Sequence, residues 1–437
     1  MKRTTKNLLA AAVTAAMCAP MAAMATNGYF GHGIGMKSMG MGGAGIAMAQ
    51  DSLASATNPA ASALTGNRID FGLNLFKPNR ESKVSGSVAP GVNGTYDGNE
   101  SSVFPIPEFG YNRDLGNDMA FGLTLVGRGG MNTDYNKVFG LYNSSSNDKP
   151  GIDLAQLYIS PTFAMKLNQD QAVGITLNMI YQRFKAQGLD NFAGFAADGT
   201  GDNLTSGDYD SSTGLSVGLG WTGKVSPGVT LGATYTSKGK MSKFDKYSDL
   251  FAEQGKFDIP ASLGLGVAVE TTPALTVAFD VSKIYYSGIA SINNPLTPNL
   301  LNCPALGGGD QSQCLGGNNG PGFGWDDMTV YKLGVSWKYQ NDLVLRAGLN
   351  HGKQPIPTSE TFFNFLAPGV VENHLTLGAT KTLASGGELT FMYMHAFVKE
   401  VKGSGSIPPQ FNGGFTGAEV DIKMSQDAIG VAYGWDL

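Results

Sequence analysis

Charge, histidine and long apolar runs are all scarce in this 437-residue sequence. Charged residues make up 15% of the chain, whereas a typical soluble domain has about 25%. Beyond residue 25 there is no run of about 18 apolar residues, which excludes membrane-spanning helices. Only four histidines occur, and none lies in a recognisable nucleophile motif. We therefore expect no enzymatic activity of the kind that outer-membrane phospholipases show.

Glycine and alternating apolar residues are abundant instead. The chain has 61 glycines, roughly twice the usual share. The last residues alternate large apolar side chains with small or polar ones, namely Ile429, Val431, Tyr433, Trp435 and Leu437 against Ala428, Gly430, Ala432, Gly434 and Asp436. This pattern is typical of a strand of a transmembrane β-barrel, with one face toward lipid.

The first 25 residues have the features of a secretory signal peptide. Lys2, Arg3 and Lys6 precede an apolar run over residues 8–17, and the small-residue site at 23–25 predicts cleavage after Ala25. Cys18 follows Met17, where lipidation would require a small residue. Removing three positive charges takes the net charge from −5 to −8, so we expect no nucleic-acid partner.

Fourteen segments are strand candidates. They are about as long as a tilted membrane strand must be, and tight turns alternate with long connections, as short periplasmic turns and long external loops do. The segments are residues 67–77, 104–114, 119–128, 153–167, 171–185, 210–225, 229–244, 257–270, 275–287, 329–339, 343–352, 370–383, 388–399 and 424–437.

The predicted fold class is all-β: a transmembrane antiparallel β-barrel of 14 strands over residues 67–437, in the bacterial outer membrane. Aromatic residues near strand ends, such as Trp221, Trp337 and Trp435, fit the interfacial girdles of such barrels. A β-propeller would need an internal repeat of about forty residues, and none is visible.

A barrel of this size has a lumen too wide for wall side chains to fill. Residues 26–66 precede the first predicted strand, are rich in Gly, Ala and Met, and carry only Lys37 and Asp51 as charges. A mobile external tail would be more polar. We therefore predict that residues 26–66 form a hatch that plugs the barrel.

Several motifs resemble one family. The stretch Thr26-Asn27-Gly28-Tyr29-Phe30, the glycine- and methionine-rich run at 35–45, and Asn58-Pro59-Ala60 just before the first strand are similar to the N-terminal hatch of the FadL family. Pro107-Glu108-Phe109-Gly110-Tyr111 in the second strand and residues 393–397 in the thirteenth add to the likeness. One departure is Leu437, where many outer-membrane strands end in Phe.

This resemblance implies an outer-membrane channel for hydrophobic small molecules. External loops would capture the ligand, which would move to a pocket against the hatch. A hatch shift would then open a lateral exit through a kink in the third strand. We expect long-chain fatty acids as the substrate, with monoaromatic hydrocarbons as the alternative and a general porin as a weaker one. Expected partners are outer-membrane lipid, lipopolysaccharide and the barrel assembly machinery; we expect a monomer without a cofactor.

Three groups of residues are candidates for these steps, each with an ordinary structural alternative. The pocket would use residues that could instead pack the hatch against the wall, namely Phe30, Met36, Met39 and Met41. Capture would use apolar loop residues that could instead pack loop on loop, namely Phe192 and Phe195. The hatch and gate would use Asn58, Pro59 and Ala60 with Gly127, Arg128, Gly129 and Gly130, because glycines within a strand often mark a bulge; an ordinary strand end is the alternative.

Cys303 and Cys314 lie in the longest predicted external loop, and the oxidising periplasm favours a disulfide between them. No histidine is near enough in the sequence for a metal pair. Nearby aspartates lack the ligand spacing of a calcium loop, so we expect no metal site. Arg346 occupies a predicted lumen position, where it could pair with a substrate carboxylate or with an acidic residue of the barrel.

Overall fold

The computed structural model describes residues 26–437. The predicted signal peptide, with Cys18, lies outside these residues. Among the residues described, no helix is long and apolar enough to cross a membrane.

Antiparallel strands form one closed sheet. They are β1 (Arg68–Ser85), β2 (Gly94–Asp97), β3 (Phe104–Gly116), β4 (Met119–Asp134), β5 (Gly151–Lys166), β6 (Gln171–Gln187), β7 (Asp210–Ser226), β8 (Val229–Thr236), β9 (Lys240–Met241), β10 (Ser262–Thr272), β11 (Leu275–Ile284), β12 (Met328–Gln340), β13 (Leu343–Gly352), β14 (Asn373–Thr382), β15 (Glu388–Val401) and β16 (Glu419–Asp436). The short strands β2 and β9 add to the sheet beside β1 and β7, so the wall itself has fourteen strands.

The barrel closes between β1 and β16. The two strands pair in uninterrupted antiparallel register from Arg68 opposite Asp436 to Ser85 opposite Glu419. Every other wall strand pairs with its sequence neighbours. The predicted fourteen-stranded antiparallel barrel is confirmed.

Side chains alternate between the two faces of the wall, as the period of a strand requires. In β6, Ile175, Leu177 and Met179 are exposed outward, whereas Thr176 and Asn178 are buried on the lumen side. The outward leucines, valines and aromatics form the apolar band that lies in lipid.

Several predicted strand limits are wrong, and three of them have identifiable reasons. β1 and β4 run to Ser85 and Asp134 rather than to residues 77 and 128, because polar stretches above the apolar band still pair with neighbouring segments. β8 ends at Thr236 rather than 244. There the Ser237 N–H donates to the Val217 carbonyl, and the Ser237 hydroxyl oxygen accepts from the Val217 N–H. The hydroxyl takes the place of a backbone acceptor, which ends the β7–β8 register.

Within residues 26–437, the helices are all short. The α-helical turns are Met36–Met39, Ser62–Thr65, Ala252–Gly255, Ala290–Asn293 and Leu296–Asn302; the 3₁₀ turns are Ser52–Ala56, Pro59–Ala61, Asp190–Phe195, Asp245–Tyr247, Tyr286–Gly288, Pro304–Leu306, Gln311–Gln313, Thr358–Glu360, Phe363–Phe365 and Pro409–Asn412. The predicted pair Cys303 and Cys314 forms a disulfide, with an S–S distance of 1.98 Å.

Candidate functional site

Residues 26–66, here called the inner segment, pack against the lumen face of the wall. We divide the segment into a lip, residues 26–34, and a base, residues 35–66, because the two parts contact the wall in different ways. Wall glycines make room for the base: a Cβ on Gly334 would lie only 2.7 Å from the Cβ of Met41. The abundance of glycine in the strands is thus partly explained by close approach of a second backbone.

Wall carboxylates hold the base by its backbone amides. Asp280 on β11 accepts hydrogen bonds from the N–H groups of Gly45 at 2.8 Å and Ile46 at 3.0 Å. Glu108 on β3 accepts from the N–H of Gly35 at 3.1 Å. These carboxyl groups give the buried N–H groups of the base the acceptors that burial requires.

Asp70 on β1 is the third wall carboxylate that holds the base. It accepts from the Ser52 N–H at 3.0 Å and from the Ser52 hydroxyl at 2.6 Å. Arg68 binds Asp70 and also Glu388, and Lys37 of the base binds the same Glu388 at 2.7 Å. An ion-pair chain therefore ties the first helical turn of the base to β1 and β15.

The predicted hatch motif Asn58-Pro59-Ala60 lies against β6 and β7. The Asn58 side chain caps the following turn by accepting from the Ala60 N–H at 3.1 Å. Its amide group donates to the carbonyls of Ile46 at 2.7 Å and Trp221 at 3.0 Å. The motif thus links two parts of the base to the wall. Positions 174 and 220 must be glycine to leave room for it, because a Cβ at either one would clash with Asn58 or Pro59.

The three predicted pocket methionines, Met36, Met39 and Met41, are buried between base and wall, with at most 3% of each exposed. None of them lines the cavity described below. Burial, and next the neighbouring Asp70 carboxylate, raise the pKa of Asp51 in the base to about 6.

The lip contacts the wall through backbone and aromatic groups. The N–H of Gly130 on β4 donates to the Tyr29 carbonyl at 2.9 Å, and the Gly31 N–H donates to the Arg128 carbonyl at 3.3 Å. Tyr29 is fully buried beside Tyr286 and Trp325. Phe30 is only partly buried and pairs with Gly129.

The lip occupies a gap in the wall. β3 and β4 pair only as far as Glu108 opposite Val126, although β4 continues to Asp134. A bulge at Arg128 then interrupts the register between β4 and β5. The predicted gate glycines 127, 129 and 130 therefore lie within β4, at a bulge, and not at a strand end.

A cavity of about 120 Å³ lies between the lip, the base and the wall. Its apolar lining comes from Phe30, Ile34, Ile46, Ile259, Pro260 and Leu263. An engineered apolar cavity of about 150 Å³ binds benzene, so this space suits one ring or one segment of an alkyl chain. Of the predicted pocket residues, Phe30 lines the cavity.

Two cations also line this cavity, Arg128 and Lys332. The Arg128 guanidinium lies 5.3 Å from the ring centre of Tyr158, and no carboxylate within residues 26–437 forms an ion pair with it. Lys332 makes a single long hydrogen bond, 3.4 Å, to the Gly43 carbonyl. The cavity thus offers positive charge beside an apolar lining.

A stacked histidine pair joins the lip to the wall. The ring centres of His32 and His374 on β14 are 6.1 Å apart and both rings are buried. Burial, and next the charge of Lys332, lower the pKa of His32 to about 4. Sequence reasoning missed His374, Lys332 and Asp280; their only sequence signal is a lumen-facing position in an otherwise small or polar register.

The predicted capture residues lie in an aromatic cluster of the external loops. Phe192 is 1% exposed and packs against Tyr142, Phe362 and Phe411. Phe195 is partly buried beside Phe411. Arg346 donates to Gln50 of the base and to Thr380 of β14, and it does not line the cavity.

Solved structures share this fold. The Pseudomonas putida toluene transporter TodX is 18% identical, with a TM-score of 0.65 over 94% of this chain and 100% of that chain. A Pseudomonas aeruginosa FadL homologue is 15% identical, with a TM-score of 0.68 over 94% and 99%. The Ralstonia pickettii toluene transporter TbuX is 17% identical, with a TM-score of 0.60 over 93% and 99%. At these identities the likeness shows the fold alone.

A search of the curated proteins finds no match. The family described as outer membrane protein transport protein (OMPP1/FadL/TodX), in contrast, matches residues 12–402. The chain therefore belongs to this family of outer-membrane transport proteins, which are passive channels for hydrophobic substrates and not enzymes.

Proposed function

We propose that the protein takes up long-chain fatty acids, binding the carboxylate at Arg128 and Lys332 and the alkyl chain along the apolar lining. The observation that carries this proposal is that Arg128, which forms no ion pair within residues 26–437, lines a mainly apolar cavity together with a second cation, Lys332, whose charge the nearby Asp280 partly balances. A guanidinium binds a carboxylate through charge-assisted hydrogen bonds. A hydrocarbon without a carboxylate would leave Arg128 without an anionic partner.

Uptake of monoaromatic hydrocarbons is the second candidate. The cavity volume of about 120 Å³ favours it, because a single ring fills such a space whereas a long chain requires the lip to move. TodX and TbuX are named as toluene transporters, but at 17–18% identity these names do not decide the substrate of this chain.

We further propose that the inner segment acts as the hatch and that substrate leaves sideways, between β3 and β4. Withdrawal of the lip would free the edge of β4 at Arg128–Gly130, where β3 no longer pairs. The exit would open into the lipid layer, where the apolar surface of the ligand is shielded at about 25 cal/mol per Å². No energy source is needed, because partitioning drives the flow. Phe192 and Phe195 stay predicted capture residues.

Ligand competition tests the substrate. The barrel would be purified in mild detergent, and a fluorescent fatty acid displaced by oleate, oleyl alcohol or toluene. We expect oleate to bind most tightly. Arg128→Gln should weaken the binding of oleate about tenfold or more, since a hydrogen bond to a charged group contributes about 1.5–3 kcal/mol. The affinity for oleyl alcohol should stay within twofold.

Lys338→Gln is the matched control, because it removes one charge at an exposed strand position outside the cavity. Equal losses for oleate and oleyl alcohol would refute the carboxylate site. Displacement by toluene alone would favour the aromatic alternative. Ion conductance without any apolar binding would identify a porin.

A further inference from the structure

The edge of β4 above the lip is completed by one arginine side chain in place of a strand. Backbone groups at an unpaired strand edge need hydrogen-bond partners, most of all at membrane depth. The lip supplies hydrogen-bond partners for the backbone of Arg128 and Gly130. Residues 98–100 do the same for Asp134, whose N–H donates to the Gly98 carbonyl at 3.2 Å. Between them, the carbonyl of Asn132 accepts from Arg80 Nη1 at 2.5 Å.

Arg80 reaches this edge from β1, across the place where β3 is missing. β1 pairs with β3 up to Phe76 and with β2 only from Glu81 onward. Arg80 is fully buried, and its guanidinium also donates to the Asn132 side chain at 2.7 Å, to Asn99 at 3.2 Å and to the Ser101 carbonyl. It forms no ion pair with any residue in the described part of the chain.

These acceptors explain why an arginine is needed. All of them are neutral oxygens, and they lie on two separate segments, β4 and the connection before β3, while the guanidinium itself extends from β1. A guanidinium presents five donors in one rigid plane, whereas lysine offers a single flexible ammonium. The Arg80 side chain therefore links β1 to β4 at Asn132, next to residues 98–100, whose backbone bonds to the Arg80 carbonyl and to Asp134 connect the same two strands.

We propose that Arg80 is a positioning residue that sets the upper edge of the lateral exit and so limits the bulk of the substrates that leave through it. This inference rests on the proposed lateral release. The lip can withdraw without disturbing Arg80, because Arg80 contacts none of its residues through a hydrogen bond. The open exit then extends from Val126 up to Asn132, roughly 15–20 Å along the strand, and ends at the guanidinium.

Two measurements test the inference, both on folded full-length barrels verified by heat-dependent gel mobility. The first is the distance between spin labels at Lys77→Cys on β1 and Lys137→Cys just after β4, two exposed positions. The second is the rate of transfer of linear and branched long-chain fatty acids into lipid vesicles. The variants are Arg80→Gln and Arg80→Lys, and Arg113→Lys is the control at an exposed position of β3.

We expect Arg80→Gln to at least double the width of the distance distribution and to raise the branched-to-linear transfer ratio at least fivefold. Arg80→Lys should give an intermediate value, and oleate affinity should stay within twofold for both. If Arg80→Gln does not fold, Asn132→Ala, which removes one acceptor and leaves the carbonyl, should still broaden the distribution.

An unchanged distance distribution would overturn the inference, whatever happens to transport. Broadening with an unchanged transfer ratio would overturn the selectivity role. If the parent protein binds oleate but transfers neither acid, the proposed lateral release is wrong, and the distance measurement alone then decides whether Arg80 holds the two strands together.

Discussion

The lip and the base of the inner segment lie against the same wall but are held by different chemistry. The base has carboxylates on its amide groups and an ion-pair chain through Lys37, Glu388 and Arg68. The lip has two backbone bonds to the free edge of β4, one hydrogen bond from Tyr286, and aromatic packing. Charge-assisted bonds are the stronger kind. The contrast indicates that the lip can move while the base stays in place.

Removing Asp280 should detach the base from the wall, and we expect this change to have the largest effect on docking. Asp280→Ala leaves the amides of Gly45 and Ile46 buried without an acceptor, which costs about 3–5 kcal/mol of docking free energy. A cysteine placed at Ala44, which is buried, should react with a thiol reagent more than a hundredfold faster. Asp280→Asn keeps an acceptor oxygen and should restore most of the protection; equal reactivity in both variants would contradict this account.

Lowering the pH should weaken the docking of the lip on the wall and strengthen the docking of the base. His32 has a pKa of about 4 when docked instead of its usual 6.5, so its contribution to docking is intact above pH 6.5 and is lost as the pH falls toward 4. Asp51 has a docked pKa of about 6 instead of 3.8, so its contribution is present below pH 3.8 and is lost as the pH rises through 6. Each effect is on the order of 2 kcal/mol at pH 5.

Thiol probes at Ile34→Cys in the lip and Ala44→Cys in the base would measure both effects. The ratio of a variant to its parent at each pH cancels the ionisation of the thiol itself. His32→Asn should remove the acid response of the lip probe only, and Asp51→Asn that of the base probe only. A change at both probes from one substitution would show that lip and base move together.

Breaking the ion-pair chain should have a smaller effect than losing Asp280. Lys37→Met removes one bond to Glu388, but Arg68 still neutralises that carboxylate, so we expect a loss of about 1–2 kcal/mol. The base probe should react about tenfold faster while the lip probe is unchanged. Lys381→Met, at an exposed surface ion pair with Asp342, is the control and should change neither probe.

Crowding the lip should give the smallest effect. A Cβ at Gly129 would lie 3.2 Å from the Tyr29 carbonyl oxygen and 2.6 Å from the flexible Gln156 side chain, so Gly129→Ala should displace the lip at a cost of about 1 kcal/mol. Gly218→Ala faces the base, and its Cβ meets nothing nearer than 3.4 Å. Faster lip labelling in Gly129→Ala alone is expected; equal labelling in the two variants would mean that the bulge does not seat the lip.

The sequence predicts the wall better than the site. Alternation such as that of Ile175, Thr176 and Leu177 identifies each strand, because one face must meet lipid. The partners of the inner segment cannot be read in this way. Asp280 and Lys332 become neighbours of residues 43–46 only when the barrel closes, and Arg80 serves β4 only because β3 ends early. These contacts depend on the strand register and on a bulge, and local periodicity determines neither of them.

The pairing of β1 with β16 has a consequence for the assembly of the barrel. Its eighteen residue pairs join strands more than three hundred positions apart in the chain, so this seam can form only after every other strand exists. Contacts of such long range are slow to form. Until then two bare strand edges are open to pairing with wrong neighbours. We therefore expect seam closure to be the committed step of assembly and the point at which helper proteins are needed most.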